Sequence, residues 1–148
     1  MKVAIGSDHA GVTMKSEIVP VLDELSIDWE DFGTKDEESV DYPDFGEKVS
    51  DAVSRGQADR GILICGTGIG MSIVANKVPG VRAALCQEDY SAKMSRLHND
   101  ANILVLPGRI IDKEKAKEIV RTWFTTDFEG GRHQRRLDKI KEIEEKQK

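Results

Sequence analysis

Four short apolar runs that lack any polar–apolar alternation constrain the fold of this chain most: Val3-Ala4-Ile5, Gly61-Ile62-Leu63-Ile64-Cys65, Ala83-Ala84-Leu85-Cys86 and Ile103-Leu104-Val105-Leu106. A strand with one wet face alternates, whereas a strand covered on both faces does not, so these runs predict parallel strands buried between two layers. The layers are visible as segments of helical spacing: Ile18, Val21, Leu22 and Leu25, then Phe45, Val49, Ala52 and Val53, then Ala116, Ile119, Val120 and Trp123. A weaker fifth strand is expected over residues 28–32, and Pro20 is expected to bend the first helix. The pattern therefore predicts an α/β fold: a three-layer, Rossmann-like sandwich of the flavodoxin type around a five-stranded parallel sheet.

The 148 residues are enough for one continuous core and too few for two, so residues 1–148 are read as a single domain. Beyond Gly130-Gly131 the chain becomes highly charged, and residues 132–148 are read as an extra C-terminal helix behind a glycine hinge. Leu137, Ile140 and Ile143 give that helix a narrow apolar stripe, which either packs on a partner subunit or stays on a solvated helix. With 22 basic against 27 acidic residues, the net charge has the wrong sign for general attraction to nucleic acid. There is no signal-peptide core and no run long enough to span a membrane, so the expected location is the cytoplasm. Cys65 and Cys86 are accordingly read as thiols.

Open parallel sheets bind ligands beyond the carboxyl ends of their strands, and the residues expected there are small and polar. The loop Cys65-Gly66-Thr67-Gly68-Ile69-Gly70 lets the main chain approach a ligand with free N–H groups, which suits an anion; a tight turn alone would need the same glycines. Cys65 stands before a helix N-terminus, where a thiolate is favoured, or it is a small buried apolar residue. Cys86 has no such loop and reads as the buried case. Asp8 and His9 can act as a proton-passing pair, or Asp8 can cap the following helix. His98 is a proton donor or a surface residue at a helix end. Arg132 and Arg136, four apart, share a helical face and can grip a phosphate, or they belong to a solvated charge run. His133 is read as a surface residue without a role. The three histidines are scattered without metal-ligand spacing, so no metal site is expected.

Taken together, Gly6-Ser7-Asp8-His9-Ala10-Gly11, Asp41-Tyr42-Pro43, Cys65-Gly66-Thr67-Gly68-Ile69-Gly70, Arg82-Ala83-Ala84, His98-Asn99-Asp100-Ala101-Asn102 and Gly108-Arg109 resemble the type B ribose-5-phosphate isomerases over nearly the whole chain. The resemblance implies an aldose–ketose isomerase of ribose 5-phosphate and ribulose 5-phosphate that uses no metal or organic cofactor. It also implies a homodimer, in some members a dimer of dimers, with active sites at the subunit interface. By motif, Cys65 is the base, and Gly66, Thr67, Gly68 and Gly70 belong to the loop that holds the enediolate oxygen. Thr67 and His98 are the candidates for ring opening. Asp8 binds hydroxyls, Tyr42 lines the sugar site and Asn99 lies near the reacting carbons. His9, Arg109, Arg132 and Arg136 hold the phosphate. The resemblance further implies that His98, Asn99 and Arg109 reach in from the neighbouring subunit.

Two other readings compete. One is an isomerase of a six-carbon sugar phosphate, such as allose 6-phosphate or galactose 6-phosphate; the galactose enzyme divides its catalytic residues between two chains, whereas this chain carries all of them. The other is a non-catalytic module that binds a phosphorylated ligand, since fold alone does not determine function.

Overall fold

In the computed structural model, which describes all residues from Met1 to Lys148, the apolar runs become β1 (Lys2–Ser7), β3 (Arg60–Cys65), β4 (Ala83–Leu85) and β5 (Ile103–Pro107), and the weaker run becomes β2 (Asp28–Asp31). All pairings are parallel, in the order β2-β1-β3-β5-β4. The helices are α1 (Val12–Glu24), α2 (Tyr42–Ser54), α3 (Ile69–Ala75), α4 (Asp89–Leu97), α5 (Lys113–Phe124) and α6 (Arg132–Lys146). Parallel crossovers are right-handed, so each change of direction along the sheet sends the next helix to the other face. Hence α1, α4 and α5 pack together on one face, and α2 packs with α3 on the other.

The strands show why their sequences do not alternate. Val3, Ile5, Ile62, Ile64, Leu104 and Leu106 point into the α1/α4/α5 layer, while Ala4, Leu63, Cys65, Ile103 and Val105 point into the α2/α3 layer. Both faces are dry, and every second residue serves a different core. Trp123 is completely buried in the first layer. Its indole N–H donates to Ser95 Oγ at 3.1 Å, and the Arg60 and Arg96 guanidiniums lie 5.4 and 5.6 Å from its ring centre. Buried Lys15 is paired with Asp31 at 2.9 Å, which ties α1 to the end of β2.

The end of one strand differs from expectation. The first strand continues to Ser7 because Gly6 and Ser7 pair with Leu63 and Ile64, so Asp8 is the first residue beyond it. Gly6 must be small there: a Cβ would lie 2.8 Å from Val49 Cγ2. The first helix runs on through Pro20, which is exposed.

Behind Gly130 and Gly131, both at positive φ, α6 is partly held by its own chain. His133 and Leu137 are buried, and the Gly80 N–H donates to the Glu144 carboxylate at 3.0 Å. Ile140 and Ile143, by contrast, are 47% and 59% exposed. They edge an open groove of about 670 Å³ with Val78, Pro79, Val81 and Asn99. No helix is long and apolar enough to cross a membrane.

Candidate active site

Three chain segments leave the carboxyl edge of the sheet side by side, after β1, β3 and β5, and they gather most of the residues singled out from the sequence. Asp8 is buried, and its Oδ1 accepts the N–H groups of Ala10 and Gly11 at 3.0 and 3.1 Å. It is therefore the cap of the short turn that precedes α1. His9 Nδ1 accepts the Val40 N–H at 3.1 Å, which leaves the neutral ring's proton on Nε2 as a donor. Each side chain is thus engaged by main-chain amides and not by the other.

Cys65 is the last residue of β3, and Gly108 N–H donates to its carbonyl at 2.8 Å. Its side chain is 5% exposed, whereas Ile62, Leu63 and Ile64 along the same strand are at 0%. The sulfur belongs to the α2/α3 core and sits at its rim. Beyond it the main-chain N–H groups of Gly66, Thr67 and Gly68 have no acceptor in the protein, and Thr67 Oγ1 accepts the Ile69 N–H at 3.2 Å. Gly68 has φ +78 and its absent Cβ would strike Leu85, so no other residue suits this bend. Tyr42, at the start of α2, lays its ring over Gly70: a Cβ there would lie 2.6 Å from Tyr42 Cζ. Arg109 crosses Gly66, with its Cδ 3.4 Å from that glycine's Cβ position and its N–H on the Gly66 carbonyl at 3.0 Å. The carboxyl edge thus offers a thiol, a row of free amides and two cation or donor side chains, His9 and Arg109. That set can hold an anion at one end and a developing oxyanion at the other.

His98, Asn99, Arg132 and Arg136 are elsewhere. The segment from His98 to Asn102 precedes β5 and lies at the amino edge of the sheet, so the length of β5, about 16 Å, separates it from Cys65. Arg82 binds this segment by donating to the carbonyls of Asn99 and Asp100, each at 2.9 Å. Asp100 adopts φ +44, held by Arg96 through a 2.8 Å ion pair with its carboxylate. Arg132 and Arg136 open α6 next to His98, exposed to solvent. One chain therefore carries two groups of candidate residues on opposite edges. Arg109 lies with Cys65, at the opposite edge from His98 and Asn99, because the turn after β5 folds back onto the β3 loop.

His133 is not at the surface. It is 3% exposed and stacks on His98 with ring centres 4.2 Å apart at 17°. The signal was present in the spacing: His133, Leu137 and Ile140 fall on one helical stripe.

The two thiols differ in environment. Cys86 is 1% exposed, and burial pushes its thiol up to about 11, against the opposing hydrogen bonds from Ser95 and Ser91. Iodoacetamide at pH 8 is accordingly expected to label Cys65 first and leave Cys86 untouched in the folded protein. Peptide mass mapping that found Cys86 labelled ahead of Cys65 would reverse this assignment.

Comparison with known proteins agrees over the full length. Residues 3–140 match the family model described as Ribose/Galactose Isomerase. The chain is 48% identical to "Ribose-5-phosphate isomerase B" of Escherichia coli, over 98% of this chain and 97% of that one. It is 40% identical to the "D-erythrulose-4-phosphate isomerase" of Pectobacterium atrosepticum, over 100% and 98%. A solved ribose-5-phosphate isomerase B from Clostridium thermocellum superposes with a TM-score of 0.97 at 56% identity, covering 100% of both chains.

Proposed function

The chain belongs to the ribose/galactose isomerase family, and from that membership we infer that it interconverts D-ribose 5-phosphate and D-ribulose 5-phosphate. The observation that carries the chemistry is the row of unpartnered amides beside Cys65 at the end of β3. In the open-chain sugar the Cys65 thiolate takes the proton from C2, and the electron pair moves through the new C1–C2 double bond onto the carbonyl oxygen. The resulting enediolate is held by the Gly66–Gly70 loop, and Cys65 returns the proton to C1 as the C2 hydroxyl proton passes to the C1 oxygen, leaving a hydroxyl on C1 and the ketone at C2. Asp8 and Tyr42 contact the sugar, and Asn99 lies by the reacting carbons. Thr67 or His98 opens the ring. His9, Arg109, Arg132 and Arg136 bind the phosphate, the remote handle that orients the reacting end.

These roles require both groups of residues at one substrate, which a single chain cannot arrange. A homodimer can: a two-fold axis that brings the amino edge of one chain to the carboxyl edge of its partner builds two identical composite sites. The exposed isoleucines support this face as the contact, with Ile69 and Ile73 on α3 at 56% and 58% exposure and Ile140 and Ile143 on α6.

The substrate is tested by comparing kcat/KM for ribose 5-phosphate, D-erythrulose 4-phosphate and allose 6-phosphate. Ribose 5-phosphate is expected to lead by at least about tenfold, since one carbon more or less displaces either the phosphate or the reacting carbons. A lead for the four- or six-carbon substrate would reassign the enzyme within its family. Binding of ribose 5-phosphate without turnover would make it a binding module.

A further inference from the structure

We infer that His133 is a positioning residue that holds the His98 imidazole in a single orientation by stacking on it. The inference rests on the reading of His98 as an acid–base group and adds a residue with no assigned role.

A buried imidazole normally finds hydrogen-bond partners. His133 does not: Nε2 is buried without one and stands 3.6 Å from Glu129 Oε1. What it does make is the face-to-face contact with His98, 4.2 Å between ring centres at 17°. The surroundings keep the two rings together. Glu129 N–H donates to the Leu97 carbonyl at 3.0 Å and His133 N–H to the Gly130 carbonyl at 3.1 Å, so the turn into α6 is tied to the end of α4. Arg96 adds a bond to the Thr126 carbonyl at 3.3 Å. Leu137, one turn on, is buried beside it.

Burial first, then the His98 ring and the Arg132 and Arg136 guanidiniums, hold His133 below the ordinary imidazole value, and Glu129 only partly opposes them. The side chains of His98, Glu129 and His133 also bring ligand-type atoms within 4.8 Å of one another. Nearly parallel rings direct their lone pairs alongside each other instead of at one point, and two arginines repel a cation, so the arrangement suits stacking better than coordination.

Two variants separate the stacking role from mere packing. His133→Ala is expected to lower kcat by at least about tenfold with little change in KM, because a displaced acid–base group loses alignment while the phosphate contacts persist. His133→Phe, which keeps a flat ring and cannot titrate, is expected to retain most of the wild-type kcat. Nitrogen-detected NMR of His98 in the resting protein should show one tautomer in wild type and in His133→Phe and an averaged ring in His133→Ala. Unchanged His98 signals in His133→Ala, or a Phe variant as impaired as the Ala variant, would overturn the inference. The NMR arm stands independently of catalysis: if His98→Ala left turnover intact, the acid–base role would fall and the stacking result would remain.

Discussion

Cys65→Ala is expected to reduce kcat for ribose 5-phosphate by about a thousandfold, the middle of the range for loss of a general acid–base group. Affinity for the substrate should change little, because the phosphate contacts assigned to His9, Arg109, Arg132 and Arg136 do not involve the sulfur. The position makes the test sharp. Cys65 is 5% exposed at the rim of the α2/α3 core, and a sulfur there has two readings, base or filler. A filler lost to alanine opens a small void and lowers stability while turnover persists; a base lost to alanine ends turnover with the fold intact. Stopped assays of kcat alongside calorimetric binding of ribose 5-phosphate distinguish them. Full turnover in the variant would remove Cys65 as the base.

Mixing two inactive variants, Cys65→Ala and His98→Ala, is expected to restore activity when their subunits exchange. The reason is geometric: Cys65 and His98 lie on opposite edges of the sheet, so each site draws one from each chain. Random exchange makes half of the dimers mixed, and each mixed dimer has one intact site and one that lacks both groups, so about a quarter of wild-type activity should return. The unmixed variants give the baseline. Mass spectrometry confirms that mixed dimers have formed; if they have and activity does not return, the site is contained within one chain and the composite arrangement is wrong.

The core and the strand-to-helix alternation were legible because they depend on local spacing. Runs such as Ile62-Leu63-Ile64 report burial on both faces directly, and the glycines around Thr67 report a main chain that bends close to something. Asp8 was legible only as a pair of alternatives, and the hydrogen bonds to Ala10 and Gly11 decided in favour of the cap. The grouping of the candidates was not legible. Arg109 and His98 are near neighbours in sequence, yet β5 runs between them and carries them to opposite edges of the sheet. His133 sits in a charged stretch, yet the helix phase turns it inward onto His98.

The sequence by itself determined the parallel α/β sandwich and the loop that follows Cys65, which follow from hydrophobic period and residue type within short windows, while the family came from the resemblance of its motifs taken together. Only the tertiary structure decided the strand order, the division of the candidate residues between two edges and the stacking of His133 on His98. Those depend on which segments the crossovers bring together, and contacts between residues far apart along the chain leave no trace in local spacing.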